Sequence, residues 1–297
     1  MPASSWSSNP QIRSCNPLLF IPRFVHTLLE GFFRMPASTV SARVQLAAST
    51  QYHPIDIGNG ERFEVDAEGG CAVAEAAGRA CYGSWHRPNP TTASNAGYLN
   101  HIMESTHGSV LEHGSVSFFI TGVSRTLTHE LIRSRHFSYS QQSQRYVDEA
   151  GATMIQPPLL VELLDAAGSG GETGFDALVE FEDAANVATV AYERLTDIFL
   201  EGLDKLAPNL SKTDRRKSAR QAARAILPNA TETRIMVTGN YRAWRHFLTI
   251  RGTEHADVEI RQVAVLILRE LQKLAPNAFA DFTVDADGII HSQYGSI

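Results

Sequence analysis

The residues with the most capacity for chemistry stand together between positions 130 and 146. The stretch reads Glu130-Leu131-Ile132-Arg133-Ser134-Arg135-His136-Phe137-Ser138-Tyr139-Ser140-Gln141-Gln142-Ser143-Gln144-Arg145-Tyr146. Arginine offers a planar fork of donors to phosphate or carboxylate and keeps its charge when partly buried. The interleaved serines and glutamines add neutral donors and acceptors able to read the edge of a base or a flavin ring. So polar a run is not expected in a strand or a core helix, and a solvated polar loop is the plain alternative. The wider segment 211–262 is locally basic, with 11 Lys and Arg against 5 Asp and Glu, in a chain whose net charge is −6. A confined anion site fits that asymmetry, whereas generic nucleic-acid binding normally brings an overall basic balance.

Other chemistries find little support. No phosphate-binding Gly-x-x-x-x-Gly-Lys-Ser/Thr loop occurs. The Gly-rich run 168–173 follows helix-like sequence and has Thr173 where a dinucleotide fingerprint needs its third glycine. No zinc-type His/Cys spacing is present, so no metal is expected. Cys15, Cys71 and Cys81 form no Cys-x-x-Cys pair, which suits a reduced, cytoplasmic protein. Cys71 and Cys81 lie in an Ala-rich apolar segment with Arg79 as the one nearby cation, a poor setting for an activated nucleophile. No apolar run is long enough to span a membrane; residues 18–33 are interrupted by Pro22, Arg23, His26 and Glu30.

The elements that must position these groups follow from periodicity and caps. At 297 residues, with 43% hydrophobic and 20% charged, the chain can bury a full core. Residues 1–34 read as an N-terminal extension outside that core, because Met35-Pro36-Ala37-Ser38 repeats the opening Met1-Pro2-Ala3-Ser4. Residues 35–297 read as a single domain of mixed α and β. Strands are expected at 42–47, 115–120 and 233–238, and helices at 71–82, 95–105, 175–206, 213–227, 241–251 and 257–274. Asn95 is the expected N-cap of the second of these helices, and Ser124 caps a helix carrying Leu127, Leu131 and Ile132. Residues 166–174 read as a surface loop, Trp244 and Phe247 as packing, and Arg215, Arg216 and Lys217 as a solvated face. Arg251, with Glu254 and His255, also admits the plain reading of a surface charge cluster.

Arg133-Ser134-Arg135, seven residues and then Ser143 resembles the signature of the flavin-dependent thymidylate synthases, which is Arg-His-Arg, seven residues, Ser. The following Gln144-Arg145-Tyr146 matches as well, and three further blocks appear in order: residues 107–113, 220–228 and 240–247. The likeness runs from about residue 43 to 282. It implies an α+β fold with a central, mostly antiparallel sheet flanked by helices. It implies synthesis of dTMP from dUMP, with methylenetetrahydrofolate as carbon donor, FAD reduced by NADPH, and a homotetramer whose active sites are shared between subunits. By the same likeness Ser109, Arg133, Ser134, Arg135, Gln141, Asn240, Tyr241, Arg242 and His246 lie at FAD. Glu130, Leu131, Ile132, Arg133, Ser143, Gln144, Arg145, Arg224 and Arg251 line the dUMP site, and Arg251 favours ionisation of the uracil ring. One position departs. Ser134 stands where the signature has the histidine that lies against the flavin, and serine has no ring to pack there. A working synthase is therefore weighed against a member with impaired or lost activity that still binds dUMP or FAD. A nucleic-acid binder using the basic segment is the remote third reading.

Overall fold

The computed structural model describes residues 40–297 except Asn59, Pro88 and Ala167. The expected N-terminal extension and the start at Met35 lie outside the described residues. The centre is a four-stranded antiparallel sheet of β1 (Arg43–Ser49), β4 (Ser115–Ser124), β5 (Phe137–Gln141) and β6 (Glu232–Asn240), in the order β1-β4-β6-β5. Two short hairpins accompany it: β2 (Ile55–Gly58) with β3 (Glu61–Phe63), and β7 (Phe282–Val284) with β8 (Ile290–Ser292). This is the α+β, antiparallel-sheet architecture expected.

β4 alternates half-buried and buried residues, with Val116, Phe118 and Ile120 turned into the core, as a strand with one packed face requires. It pairs with β6 from Ser115↔Asn240 to Ser124↔Glu232, joining segments more than a hundred residues apart. Helices α1 (Gly69–Tyr82), α2 (Asn95–Glu104), α7 (Tyr241–Arg251) and α8 (Val258–Leu274) supply the apolar faces that cover the sheet. Trp244 is fully buried between Phe118, at 5.2 Å between ring centroids, and Phe137, at 4.6 Å. The Phe137 ring fills the place a side chain at Gly239 would occupy, since a Cβ there would come within 2.4 Å of it.

Four expectations are corrected. Ser94, not Asn95, caps α2 by accepting from Gly97 N at 3.2 Å; Asn95 is buried and donates from Nδ2 to Glu75. The long helix α5 (Ser169–Leu206) starts inside the glycine-rich run read as a loop, because Gly168, at φ 68°, provides the turn directly before it. A helix not read from sequence, α4 (Pro158–Asp165), packs against α5. The polar signature does contain a strand, β5: at the sheet edge Ser138 and Ser140 face outward while Phe137 and Tyr139 pack inward. An edge strand with one wet face accepts a polarity that a central strand would not. Ser124 does cap α3 (Arg125–Leu131), accepting from Leu127 N at 3.0 Å, and α7 has the expected bounds.

One buried ion pair ties α7 to the C-terminal hairpin. Arg245, wholly buried, donates Nη1 to Asp281 Oδ1 at 2.6 Å and Nη2 to Oδ2 at 2.9 Å. Burial alone would raise the Asp281 pKa, but hydrogen bonds from Arg245 and Ser292 and the Arg245 charge outweigh it and hold the carboxyl below its usual range. A carboxyl depressed on folding contributes stability above its unfolded pKa of about 3.9, and that contribution is lost as the pH falls through the folded value. Arg245→Met leaves the buried Asp281 carboxylate without its counter-charge, with Ser292 Oγ and Tyr294 N still donating to it. Urea denaturation near neutral pH should show a loss on the order of 3–5 kcal/mol. The difference from wild type should shrink once the pH is low enough to protonate Asp281; a pH-independent loss would contradict this account.

Candidate active site

The site grows from the ends of helices that follow β4 and β6. α3 leaves β4 at Ser124 and carries Glu130 in its last turn; α7 leaves β6 at Asn240 and ends on Arg251. Their C-terminal ends meet. Arg251 Nη1 donates to Glu130 Oε2 at 2.5 Å, and Arg251 Nη2 to the Glu130 backbone oxygen at 2.9 Å. The second contact satisfies one of the carbonyls that a helix C-terminus leaves without an intrahelical partner. Arg133 reaches the other carboxylate oxygen at 3.5 Å, but its side chain is 71% exposed, so this pair adds little stability. Arg251 is therefore held across the fold and is not part of a surface cluster with Glu254 and His255, which pair with each other.

The turn from 132 to 136 exposes Arg133 and Arg135 and leaves Ser134 half-buried. Tyr139, on β5, donates its hydroxyl to the backbone oxygens of Leu131 and Ser134, each at 2.9 Å, and burial pushes its pKa up to about 12. His136 closes the turn at φ 67°. Ile132 is 50% exposed, whereas Leu131 is fully buried and lends the site only its backbone. Gln141 is anchored between α3 and β6, donating Nε2 to Thr128 Oγ1 at 3.1 Å and to Thr233 Oγ1 at 3.2 Å. Beyond β5, Ser143 Oγ accepts from Arg145 N at 3.4 Å. Gln144 Nε2, Arg145 Nε and Arg251 Nε are buried donors without a protein partner. Among the described residues the side chains of Arg135, Arg145 and Arg224 make no hydrogen bond or ion pair.

A second focus lies at the other end of α3. Burial lowers the pKa of Arg125, with Glu149 opposing and Arg224 adding to the shift, so these three charges are neighbours. Glu149 is itself buried, its pKa raised chiefly by burial and opposed by a hydrogen bond from Gln142 and by the charge of Arg125. Arg125 and Glu149 are charged groups the sequence reading passed over; both needed the fold to bring them beside Arg224. Five residues separate Arg125 from Glu130, roughly 8 Å along a helix axis.

The residues assigned to FAD by resemblance divide further. Asn240 caps α7, accepting from Ala243 N at 2.8 Å. Arg242 pairs with Glu112 at 2.6 Å and donates Nε to the Ile297 backbone oxygen at 2.6 Å. Ser109 belongs to the same 3-10 turn as Glu112 (Gly108–His113) and is exposed, as is His246, one turn beyond Arg242. Tyr241 is 1% exposed and packs on Phe279 and against Gly70 and Gly114, and burial raises its pKa. Its side chain is core in this chain. Two grooves, of about 670 and 610 Å3, flank β1 and α8 and hold none of these residues. Among the described residues no cluster able to hold a metal occurs, and no helix is long and apolar enough to cross a membrane.

Residues 65–277 match the family model described as thymidylate synthase complementing protein. A protein of Mycobacterium sp. (strain JLS) named flavin-dependent thymidylate synthase is 54% identical over 250 residues, 84% of this chain and 92% of its own. This chain belongs to the flavin-dependent thymidylate synthase family. A family member from Mycobacterium tuberculosis (strain ATCC 25177 / H37Ra) is 54% identical over 256 residues, covering 85% of this chain and 95% of that one. Among solved structures, the UMP/dUMP methylase PolB from Streptomyces cacaoi, bound with 5-Br dUMP, aligns with a TM-score of 0.60 at 25% identity. It covers 81% of this chain and 94% of that one. In this family member the signature is thus a helix end, a stapled turn and an edge strand.

Removing the Tyr139 hydroxyl takes the shared donor from two carbonyls of the signature turn. Tyr139→Phe should lower stability by about 1 kcal/mol and weaken FAD uptake through the loosened turn, read from melting temperature and from the absorbance of FAD-titrated protein. Unchanged uptake would show that the turn holds its shape without the staple.

Proposed function

We propose that this protein makes dTMP from dUMP, with methylenetetrahydrofolate as carbon donor and NADPH-reduced FAD. We read it as cytoplasmic, with residues 35–297 acting as one domain. The observation that carries the reading is a set of guanidinium groups with unpaired N–H donors: Arg224 near the start of α3, Arg251 at its end and Arg145 beyond β5. Arg145 and Arg224 lack partners among the described residues, and Arg251 is fixed with its Nε still unpaired. A nucleoside monophosphate suits this pattern, with a doubly charged phosphate at one end and a polar ring at the other.

Arg145, Arg224 and the hydroxyl of Ser143 would bind the phosphate, as forked donors do. Arg251 would face the uracil ring. Carbon-bond formation at C5 moves negative charge onto the ring, and a guanidinium already fixed in place stabilises that charge without reorganising. Gln144 and Ile132 would bound the nucleotide. Arg133 and Arg135, exposed on the stapled turn, have the charge a flavin pyrophosphate needs. Ser109, Gln141, Asn240, Arg242 and His246 would complete that side. Bound FAD supplies the reducing equivalent; the chain supplies position and field.

We propose a homotetramer because α5, packed in one chain by α4 and by α6 (Lys212–Ala223), still exposes large apolar side chains. It spans about 57 Å, and Tyr192 is its one buried side chain among the described residues, while Phe175, Val187, Ile198 and Leu206 are exposed. Partner copies would cover those side chains and share the active sites.

Ser134 supports a second reading, in which flavin binding or turnover is weakened, because serine offers no ring to the isoalloxazine. The test is tritium release from C5-labelled dUMP, dependent on NADPH and folate; release no higher than background would refute the synthase reading. Ser134→His should raise flavin occupancy and turnover if the departure weakens the enzyme, and leave both unchanged if neighbouring contacts compensate. Sedimentation should show a tetramer, and an active monomer would contradict shared sites.

A further inference from the structure

We propose that Glu130 is a positioning residue for Arg251, setting the guanidinium plane through two hydrogen bonds and leaving the remaining N–H groups for the pyrimidine. This rests on the reading of Arg251 as the cation that faces the uracil ring, and goes beyond it by giving Glu130 its function.

A guanidinium on a flexible stem is a poor electrostatic catalyst unless its plane is set beforehand, because reorienting it during the reaction offsets the stabilisation it offers. Two contacts to one residue set that plane here. The carboxylate takes Nη1 and the backbone oxygen of the same residue takes Nη2, at 2.5 and 2.9 Å. Each η nitrogen carries two hydrogens, so one on each is used and one on each remains. Nε is buried without a partner and cannot compete for Glu130. The Arg251 side chain is 16% exposed and that of Glu130 31%, so the pair is screened less than an exposed one and still borders solvent. Glu130 is also the one carboxylate joined to both Arg251 and Arg133 among the described residues. It links the ring-facing cation to the turn that carries the signature.

The side chain and the backbone of Glu130 make separate contributions, which allows a clean test. Glu130→Gln keeps an oxygen for Nη1 and removes the charge. Glu130→Ala removes the side-chain contact and leaves the backbone one, about which the guanidinium can then pivot. Turnover and KM for dUMP would be measured by tritium release, and crystals of both variants would show where the Arg251 guanidinium lies. In Glu130→Ala the guanidinium should leave its wild-type plane. Its kcat should fall by about ten- to a hundred-fold, the usual effect of a misplaced catalytic group, with the KM for dUMP changing much less. Glu130→Gln should recover about ten-fold of that loss. An unmoved Arg251 in Glu130→Ala would overturn the inference. So would a loss in Glu130→Gln equal to that in Glu130→Ala with Arg251 in place, which would make the charge of Glu130, not its hydrogen bond, the active feature. If wild-type protein releases no tritium, the functional reading falls, and the crystallographic position of Arg251 still decides whether Glu130 positions it.

Discussion

The antiparallel pairing of β4 with β6 is the constraint on which the rest of the molecule depends. Each strand runs directly into a helix, with Ser124 capping α3 at one end of the ladder and Asn240 capping α7 at the other. Helices launched from opposite ends of an antiparallel pair come back toward each other, and here their C-termini meet. The C-terminal end of a helix carries partial negative charge. Bringing two such ends together creates a place where cations are favoured before any ligand arrives, and Arg251 and Arg133 occupy it.

Electrostatics near α3 therefore has two separate sources. At the C-terminal end, carbonyl groups and Glu130 hold cations in fixed geometry. At the N-terminal end, Arg125 and Arg224 sit near each other with the buried Glu149 as counter-charge. Like charges placed together are costly unless balanced, and Glu149 balances them only in part. Such a pairing favours an incoming dianion over a neutral ligand.

Much of this was legible in the sequence, and the parts that were not share a cause. The bounds of α7 are those expected from the sequence, and the capping role of Ser124 follows from its type and place. Trp244 and Phe247 are core, as the α7 pattern implies. The family likeness named Glu130 and Arg251, which meet where the two helices end. What escaped is non-local. β5 hides in a polar run because edge position, which no local pattern reports, is what makes Ser138 and Ser140 acceptable there. The Glu130–Arg251 contact joins residues 121 apart. Arg245 looks no different from Arg242 in sequence, yet one is sealed against Asp281 and the other reaches Glu112 near the surface. The start of α5 was missed for the opposite reason: local glycines argued for a loop, and the turn at Gly168 with packing on α4 overrode them.

The ring of Phe137 seated in the gap at Gly239 ties these levels together. Phe137 opens the edge strand that carries the signature, and it rests on Trp244 and Phe247 at the centre of the core. Gly239 thus acts as a keyhole for the strand. Any side chain there would evict the aromatic key and pull the arginine-bearing segment out of register, and a scan for function would flag a residue with no side chain to offer a ligand. Loss of activity at that position would be a message sent through packing, written in the one place where the protein has no side chain at all.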